Sequence, residues 1–402
     1  MSKSTISASK ASNKINAMNK LLGSCIVGTL VLLASSVLVS CSSPPATPLK
    51  PDPGTALPSS ANRQEPAQKT FVNAKSKWVM ASWHDLPGVF NDNLNEAWSA
   101  WVQSCLRSKA DPKNICQEVR NLSGQPSHVQ REWLVNNFLP YRVESLTDNV
   151  DTSTGLLTAY YEPVFEASRL AKPGFEVPLF SPPANIKNKS PWYTREEISR
   201  LPAAQAALKG KEIAFLADPV DAMVLHIQGS GRLWVTQSDG SRKQIRVAFA
   251  GTNDHPYQSI GRWLLDQNLT KDATWPGIKT WLAQNPRRTQ ELLSKNPRYV
   301  FFKEEPLSGS ELQLGPKGAQ GVPLTPGRSI AVDPGSIPYG MPVWLSSNGP
   351  QTQLQRLVMA QDTGSAILGA VRADYFVGSG QAAGELAGRL KQDLKLWVLL
   401  PR

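Results

Sequence analysis

The chain has 402 residues, 41% of them hydrophobic and 19% charged, which is ordinary globular usage and excludes a chain disordered throughout or a multi-span membrane protein. Its 43 Lys+Arg against 32 Asp+Glu give +11, enough to suggest an anionic partner but too diffuse to name one. Four cysteines without CxxC spacing and four scattered histidines (His84, His128, His226, His255) argue against a disulfide scaffold, CxxC zinc or redox chemistry and a His-based metal site, and no cofactor is expected.

Residues 1–20 carry Lys3, Lys10, Lys14 and Lys20 and no acid, and 21–40 are an uncharged apolar run, the layout of a secretory signal. The run is also long enough to span a bilayer, so an uncleaved anchor is the alternative. Leu38-Val39-Ser40-Cys41 resembles a bacterial lipobox, which implies cleavage after residue 40 and lipidation of Cys41. Ser42, where Asp would signal inner-membrane retention, implies the outer membrane, facing the periplasm. Residues 42–70 hold seven prolines and no aromatic residue, and read as an extended tether. A globular body of residues 71–402 remains. Loss of the signal takes four lysines from the +11 and leaves +7. A periplasmic chain does not meet nucleic acid, whereas peptidoglycan, with its stem-peptide carboxylates, is an abundant acidic polymer there. Cys105 and Cys116 are the two cysteines left in the body, and an oxidising periplasm predicts a disulfide between them.

In chain order, Leu94, Trp98, Trp101 and Cys105 recur at helical spacing within 91–108. Both tryptophans read as core residues rather than sugar platforms. Asp111-Pro112 predicts an N-cap and first position for a second short helix carrying Cys116. From about Leu156 the chain turns to short β-prone runs broken by Gly and Pro, with alternation predicting strands at Met223–Ile227 and Ile245–Phe249. Helices are expected at 257–269 and at 286–295, the second capped by Asn285, and a last one at 380–391. The remainder of the last hundred residues is strand-like. The pattern predicts a mainly β or mixed α+β architecture with peripheral helices, and no internal repeat is visible.

Candidate chemistry gathers in three aspartates: Asp333 in AVDPGSIPYG, Asp362 in AQDTGSAI and Asp374 in RADYF. A single Asp beside a strand is usually a turn residue. Three within 42 residues make a clustered acidic site more plausible, and no Ser/His/Asp order, Walker loop or HExxH helix competes. Carboxyl chemistry in a wall-facing lipoprotein suggests glycoside cleavage.

Four segments together, Ala159-Tyr160-Tyr161-Glu162-Pro163, His226 to Arg232, Gly251-Thr252-Asn253 through Ser259-Ile260-Gly261, and the three-aspartate segment, resemble the membrane-bound lytic murein transglycosylase A family in order across most of 71–402. Ala159 and Ser365 stand where that family usually has glycine. The resemblance implies a double-psi β-barrel formed by residues 71–165 and 299–402, a smaller β domain inserted at 166–298, and a groove between them. It implies non-hydrolytic cleavage of the β-1,4 bond between N-acetylmuramic acid and N-acetylglucosamine in peptidoglycan glycan strands. Asp374 would be the acid and then the base, and Asp362 would assist it or hold substrate. Tyr161, Gln228 and Ser230 are expected on the substrate; Asp333 reads as a turn residue ahead of a functional one, Glu162 as hydrogen-bonded support ahead of a second carboxyl at the site, and His226 as either a structural histidine or a ligand. A hydrolytic muramidase and a non-catalytic wall-binding lipoprotein are the alternatives.

Overall fold

The structure is a computed structural model that describes residues 69–402, except 109–110, 148–150, 185, 187–190, 308 and 351. The expected signal (1–40), the lipidated Cys41 and nearly all of the tether lie outside the described residues. No helix among those described is long and apolar enough to cross a membrane.

A hairpin of β1 (Thr70–Val72) and β2 (Ser76–Met80) leads to three helices, α1 (Leu94–Cys105), α2 (Ile115–Asn121) and α3 (Ser127–Asn137). The apolar stripe of α1 is buried as its spacing predicts. Trp98 and Trp101 pack with Trp133 and Phe138 at ring separations of 5.3–5.9 Å, so both are core residues. Cys105 and Cys116 form the expected disulfide, with Cα atoms 5.4 Å apart. The second helix begins three residues later than Asp111-Pro112 predicts. Lys113 and Asn114 adopt left-handed backbone, and only then does the Asp111 carboxylate accept the N–H groups of Cys116 and Gln117 at 2.7 and 3.2 Å.

The chain continues through β3 (Phe138–Ser145) and β4 (Gly155–Glu162), then leaves for a second sheet. It returns through β11 (Ser329–Val332), β12 (Pro342–Asn348), β13 (Gln353–Asp362), β14 (Arg372–Ser379), α10 (Gln381–Arg389) and β15 (Lys391–Pro401). Strands β15, β12, β13, β11, β14 and β4 follow one another, and β4 pairs again with the first half of β15. Six strands thus close into a barrel, which removes the exposed edges. The second half of β15 pairs with β3, which carries β2 and β1 outward. The period of two divides the residues between two cores. Val358 and Ala360 point into the barrel, while Leu357 and Met359 pack under α1 with Trp344 and Trp397. Arg328, 1% exposed, locks α1 to this face through a two-pronged pair with Asp92 at 2.7 and 2.8 Å.

The second sheet runs β10-β9-β8-β5-β7-β6: β5 (Val164–Ser168), β6 (Val177–Phe180), β7 (Glu212–Leu216), β8 (Ser230–Thr236), β9 (Arg242–Thr252) and β10 (Val300–Pro306). Six short helices accompany it: α4 (Arg195–Arg200), α5 (Pro202–Leu208), α6 (Pro219–Gln228), α7 (Ile260–Asp266), α8 (Trp275–Gln284) and α9 (Thr289–Ser294). The expected strand at Met223–Ile227 is instead the end of α6. Asp218 caps it through Val220 N–H, Pro219 opens it, and Gly229 closes it at φ 78°. Every residue from Ala222 to His226 is buried, which erased the polar face by which a helix shows itself. Asn285 does not cap the helix after it; its amide donates to Trp281 and closes α8. The mainly β barrel with a second, smaller β sheet inserted is as expected.

Where β4 ends, the wholly buried Glu162 carboxylate receives Arg232 of β8 at 2.7 Å and Arg246 of β9 at 2.5 Å. The Ser379 hydroxyl of β14 adds a donor at 2.9 Å. The two guanidinium groups in turn hold the carbonyls of Leu312 and Leu314 on the return segment. One carboxylate therefore joins both sheets. Glu162→Gln leaves two buried cations without their counter-charge, and we expect a loss of roughly 3–5 kcal/mol in denaturant unfolding. A loss below about 1 kcal/mol would show that the arginines are satisfied without it.

Candidate active site

Ala331, on the strand between β13 and β14, has Asp362 as its partner on one side and Asp374 on the other. Two strand spacings place their Cα atoms roughly 10 Å apart. A register shift between Ile330 and Ala331 skips Gln361, so that Asp362 and not Gln361 stands opposite Ala331. The skipped Gln361 is fully buried and turned toward α1, where its amide donates to Ala100 O at 2.7 Å and Ser104 Oγ at 2.8 Å. The carboxyl at the strand end is thus set by a glutamine fixed in the core behind it.

Asp374 lies within β14, against its poor strand propensity. It points away from Ala373 and Tyr375, which fill the barrel. Its Oδ1 accepts from Thr158 Oγ1 at 2.5 Å on the paired β4, and Thr158 itself accepts from Arg372 Nη2 at 2.8 Å. Because the guanidinium only donates, the threonine hydroxyl proton is directed at Asp374. Asp362 accepts from Tyr160 OH at 2.8 Å and from Ala319 N–H at 2.9 Å, with Thr363 N–H as a third donor. A Cβ on Gly318 would stand 2.5 Å from Gln361 O, so glycine is what lets the Ala319 loop lie on the end of β13.

Burial pushes both carboxyls above the usual aspartate range. For Asp374 the charge of Asp362 adds to burial, while Thr158 and Arg372 oppose it. The donors around Asp362 oppose its own rise. Burial and Asp362 push the Tyr160 phenol up, so it stays protonated and donates. Asp333 is placed differently. Burial raises it, but Lys75 at 2.8 Å and the N–H groups of Gly369 and Gly335 outweigh that and hold it low. It ties the Asp333-Gly335 turn to the loop that leads into β14.

A cavity of about 580 Å³ between the barrel and the second sheet is lined by Tyr160, Gln228, Ser230, Phe249, Lys303 and Asp362, among others. Asp362, Gln228 and Ser230 line this cavity, whereas Asp374 is not among its lining residues. Tyr161 does not line it: its ring lies on the other face of β4, against Gly384 of α10. Only its N–H reaches the group, donating to Gln228 Oε1 at 3.1 Å. His226 is buried in the wall with rings of Tyr299 and Phe302 at 4.3 and 5.6 Å. Burial and the Arg195 charge hold it neutral. Asn253 is fully buried and joins β9 to Tyr299 N–H at 2.8 Å. Thr158 and Arg372 are the site residues that the sequence pattern did not single out; Arg372 lies two residues from Asp374 on β14, and Thr158 two from Tyr160 on β4, each pair on one strand face. Ala159 and Ser365 are not among the positive-φ residues, so neither departure from glycine strains the backbone. Among the described residues no three His, Cys, Asp or Glu side chains gather as a metal site.

Residues 156–303 match the family model described as the MltA specific insert domain, and residues 328–400 match that of the 3D domain. The chain is 32% identical over 256 residues to the membrane-bound lytic murein transglycosylase A of Vibrio cholerae, covering 61% of this chain and 65% of that protein. It therefore spans just under two thirds of that curated relative. The solved lytic transglycosylase LtgG of Burkholderia pseudomallei is 40% identical, with a TM-score of 0.57 over 83% of this chain and 97% of that one. MltA from Neisseria gonorrhoeae is 30% identical, with a TM-score of 0.68 over 84% of this chain and 96% of that one. With both matched segments falling on the inserted sheet and the three-aspartate barrel strands described above, the chain belongs to the MltA family.

Proposed function

We propose that the protein is a peptidoglycan lytic transglycosylase that breaks the β-1,4 bond between N-acetylmuramic acid and N-acetylglucosamine without water. The observation that carries this reading is the unequal surroundings of two raised carboxyls. Asp362 is met by three donors, which suits a carboxylate, whereas Asp374 has a single donor, and its burial, helped by the charge of Asp362, favours the carboxylic acid against the pull of Thr158 and Arg372. Protonated Asp374 donates to the glycosidic oxygen as the C1–O4 bond breaks. The resulting carboxylate then accepts the proton of the muramyl C6 hydroxyl while O6 bonds to C1. A 1,6-anhydro end forms and Asp374 regains its proton, so one carboxyl serves both steps. Asp362 orients the pair electrostatically, held by Tyr160 and Ala319. Gln228 and Ser230 offer amide and hydroxyl groups to sugar acetamides and hydroxyls, and Tyr161 contributes through its N–H to Gln228.

The same reading assigns residues 166–298 to an inserted domain and the flanking 71–165 and 299–402 to the main one. The chain changes sheet between Glu162 and Val164 and stays with the second sheet through β10, which ends at Pro306, so that sheet extends beyond these bounds at both ends. We further propose a signal at residues 1–40, lipidation of Cys41 and residence at the outer membrane facing the periplasm. The membrane-bound names of the relatives and the Cys105–Cys116 disulfide support it.

Mass spectrometry of sacculi digested by the purified protein is expected to find 1,6-anhydro muropeptides. Reducing ends one water heavier, with no anhydro product, would mean hydrolysis, and no release at all would favour a binding protein. Asp374→Asn is expected to lower the rate of release by roughly 10²–10⁴ with glycan binding kept.

The same substitution tests the charge assignment through stability. A carboxyl raised above its ordinary 3.8 in the folded chain is protonated more readily there than when unfolded. Its ionisation thus costs the fold at neutral pH, and that cost disappears as pH falls toward 4. Asp374→Asn should therefore melt higher than wild type at pH 7, with the gap closing on acidification. Asp333→Asn should behave oppositely. A lowered carboxyl stabilises the fold above its unfolded value, so this variant melts lower at pH 7 and its deficit shrinks as acid protonates wild-type Asp333. Replacing Cys41 by Ser should move the protein from the membrane to the soluble fraction on cell fractionation.

A further inference from the structure

Among the described residues Phe249 is the most exposed phenylalanine or tryptophan, with 52% of its surface open. The other exposed rings are partly covered: Phe71 by Tyr141 and Lys69, Phe90 by His84, and Trp234 by Arg242. Phe249 has no ring or cation partner among the described residues, and of these four only it lines the 580 Å³ cavity. The same cavity is lined by Gln228 and by Lys303 and Glu305, paired at 2.8 Å, together with the apolar Ile227, Ala248 and Val300. A protein partner would need a contiguous apolar patch of several hundred Å², which one exposed ring in a cavity of mixed polar and apolar lining does not offer. A β-linked N-acetyl-hexosamine fits better. Its substituents are equatorial, so it presents a flat C–H face to an aromatic ring and a polar rim to the groups around it. Phe249 also sits on the strand that carries Arg246, so the buried Glu162 pairing fixes its place relative to the barrel.

We infer that Phe249 is the platform on which one sugar ring of the glycan lies, and that it sets affinity for the strand rather than the chemistry. The inference rests on the transglycosylase reading for the identity of the polymer, and it is tested by binding. In the Asp374→Asn background, a β-1,4-linked N-acetylglucosamine hexamer is titrated by calorimetry. Phe249→Ala is expected to weaken binding roughly tenfold, the loss for exposing about half of a buried ring face. Phe249→Tyr should keep the affinity, and Phe249→Leu should lose most of it because bulk remains but the flat face does not. In the active chain, Phe249→Ala should raise KM by a similar factor with kcat and the product unchanged. All three variants should unfold at the wild-type denaturant concentration, because the ring is exposed. Hexamer affinity unaltered in Phe249→Ala, full affinity in Phe249→Leu, or no hexamer binding with Phe249 intact would each overturn the inference. If sacculi yield no anhydro product yet Phe249→Ala still weakens the hexamer, the transglycosylase reading fails and the platform stands.

Discussion

The buried Glu162 pairing with Arg232 and Arg246 is the constraint on which the arrangement of this molecule depends. It sits where the chain leaves the barrel for the second sheet, and it recruits donors from β8, β9 and β14 at once. A pair so deeply buried gains little net stability over an apolar contact, since desolvation offsets attraction. Its consequence is geometrical. Two guanidinium groups with fixed donor directions leave few ways to set one sheet against the other. Their remaining donors hold Leu312 and Leu314, just before the loop whose Ala319 N–H meets Asp362.

Three aspartates from one short segment receive three environments. Asp333 is neutralised by Lys75 and backbone N–H groups and braces a loop. Asp362 is ringed by donors at the end of a strand, and Asp374 stands in mid-strand with a single hydroxyl, itself oriented by an arginine. A one-residue register shift opposite Ala331 separates the core-facing Gln361 from the cavity-facing Asp362. The differences in charge behaviour thus come from strand register and nearby donors, because the residues themselves are chemically identical.

Elements with a local signal were legible. The stripe of α1 and the C-terminal strands follow from the spacing of a few neighbouring residues, and the two cysteines of the disulfide stand only eleven residues apart. The strand expected at Met223–Ile227 failed because α6 is buried nearly all round, and burial removes the polar face that marks helical period. Its end signals, Asp218-Pro219 and Gly229, were present and carried the better information. The Asp111 cap came three residues early because Lys113 and Asn114 take a left-handed detour, which asparagine tolerates but lysine does not favour.

The residues themselves specify the chemical groups and their local setting: an acidic C-terminal segment, an apolar core on period two, a cysteine pair, and ordered motifs resembling one family. Those depend on residue type and short spacing. The tertiary structure alone decided which groups meet. It put Thr158 and Tyr160, more than 200 residues away in the chain, onto Asp374 and Asp362. It turned Tyr161 away from the cavity and left Phe249 bare within it. Strand pairing across such separations and the direction of a side chain from a curved sheet are set by the closure of the barrel, which no local window of residues contains.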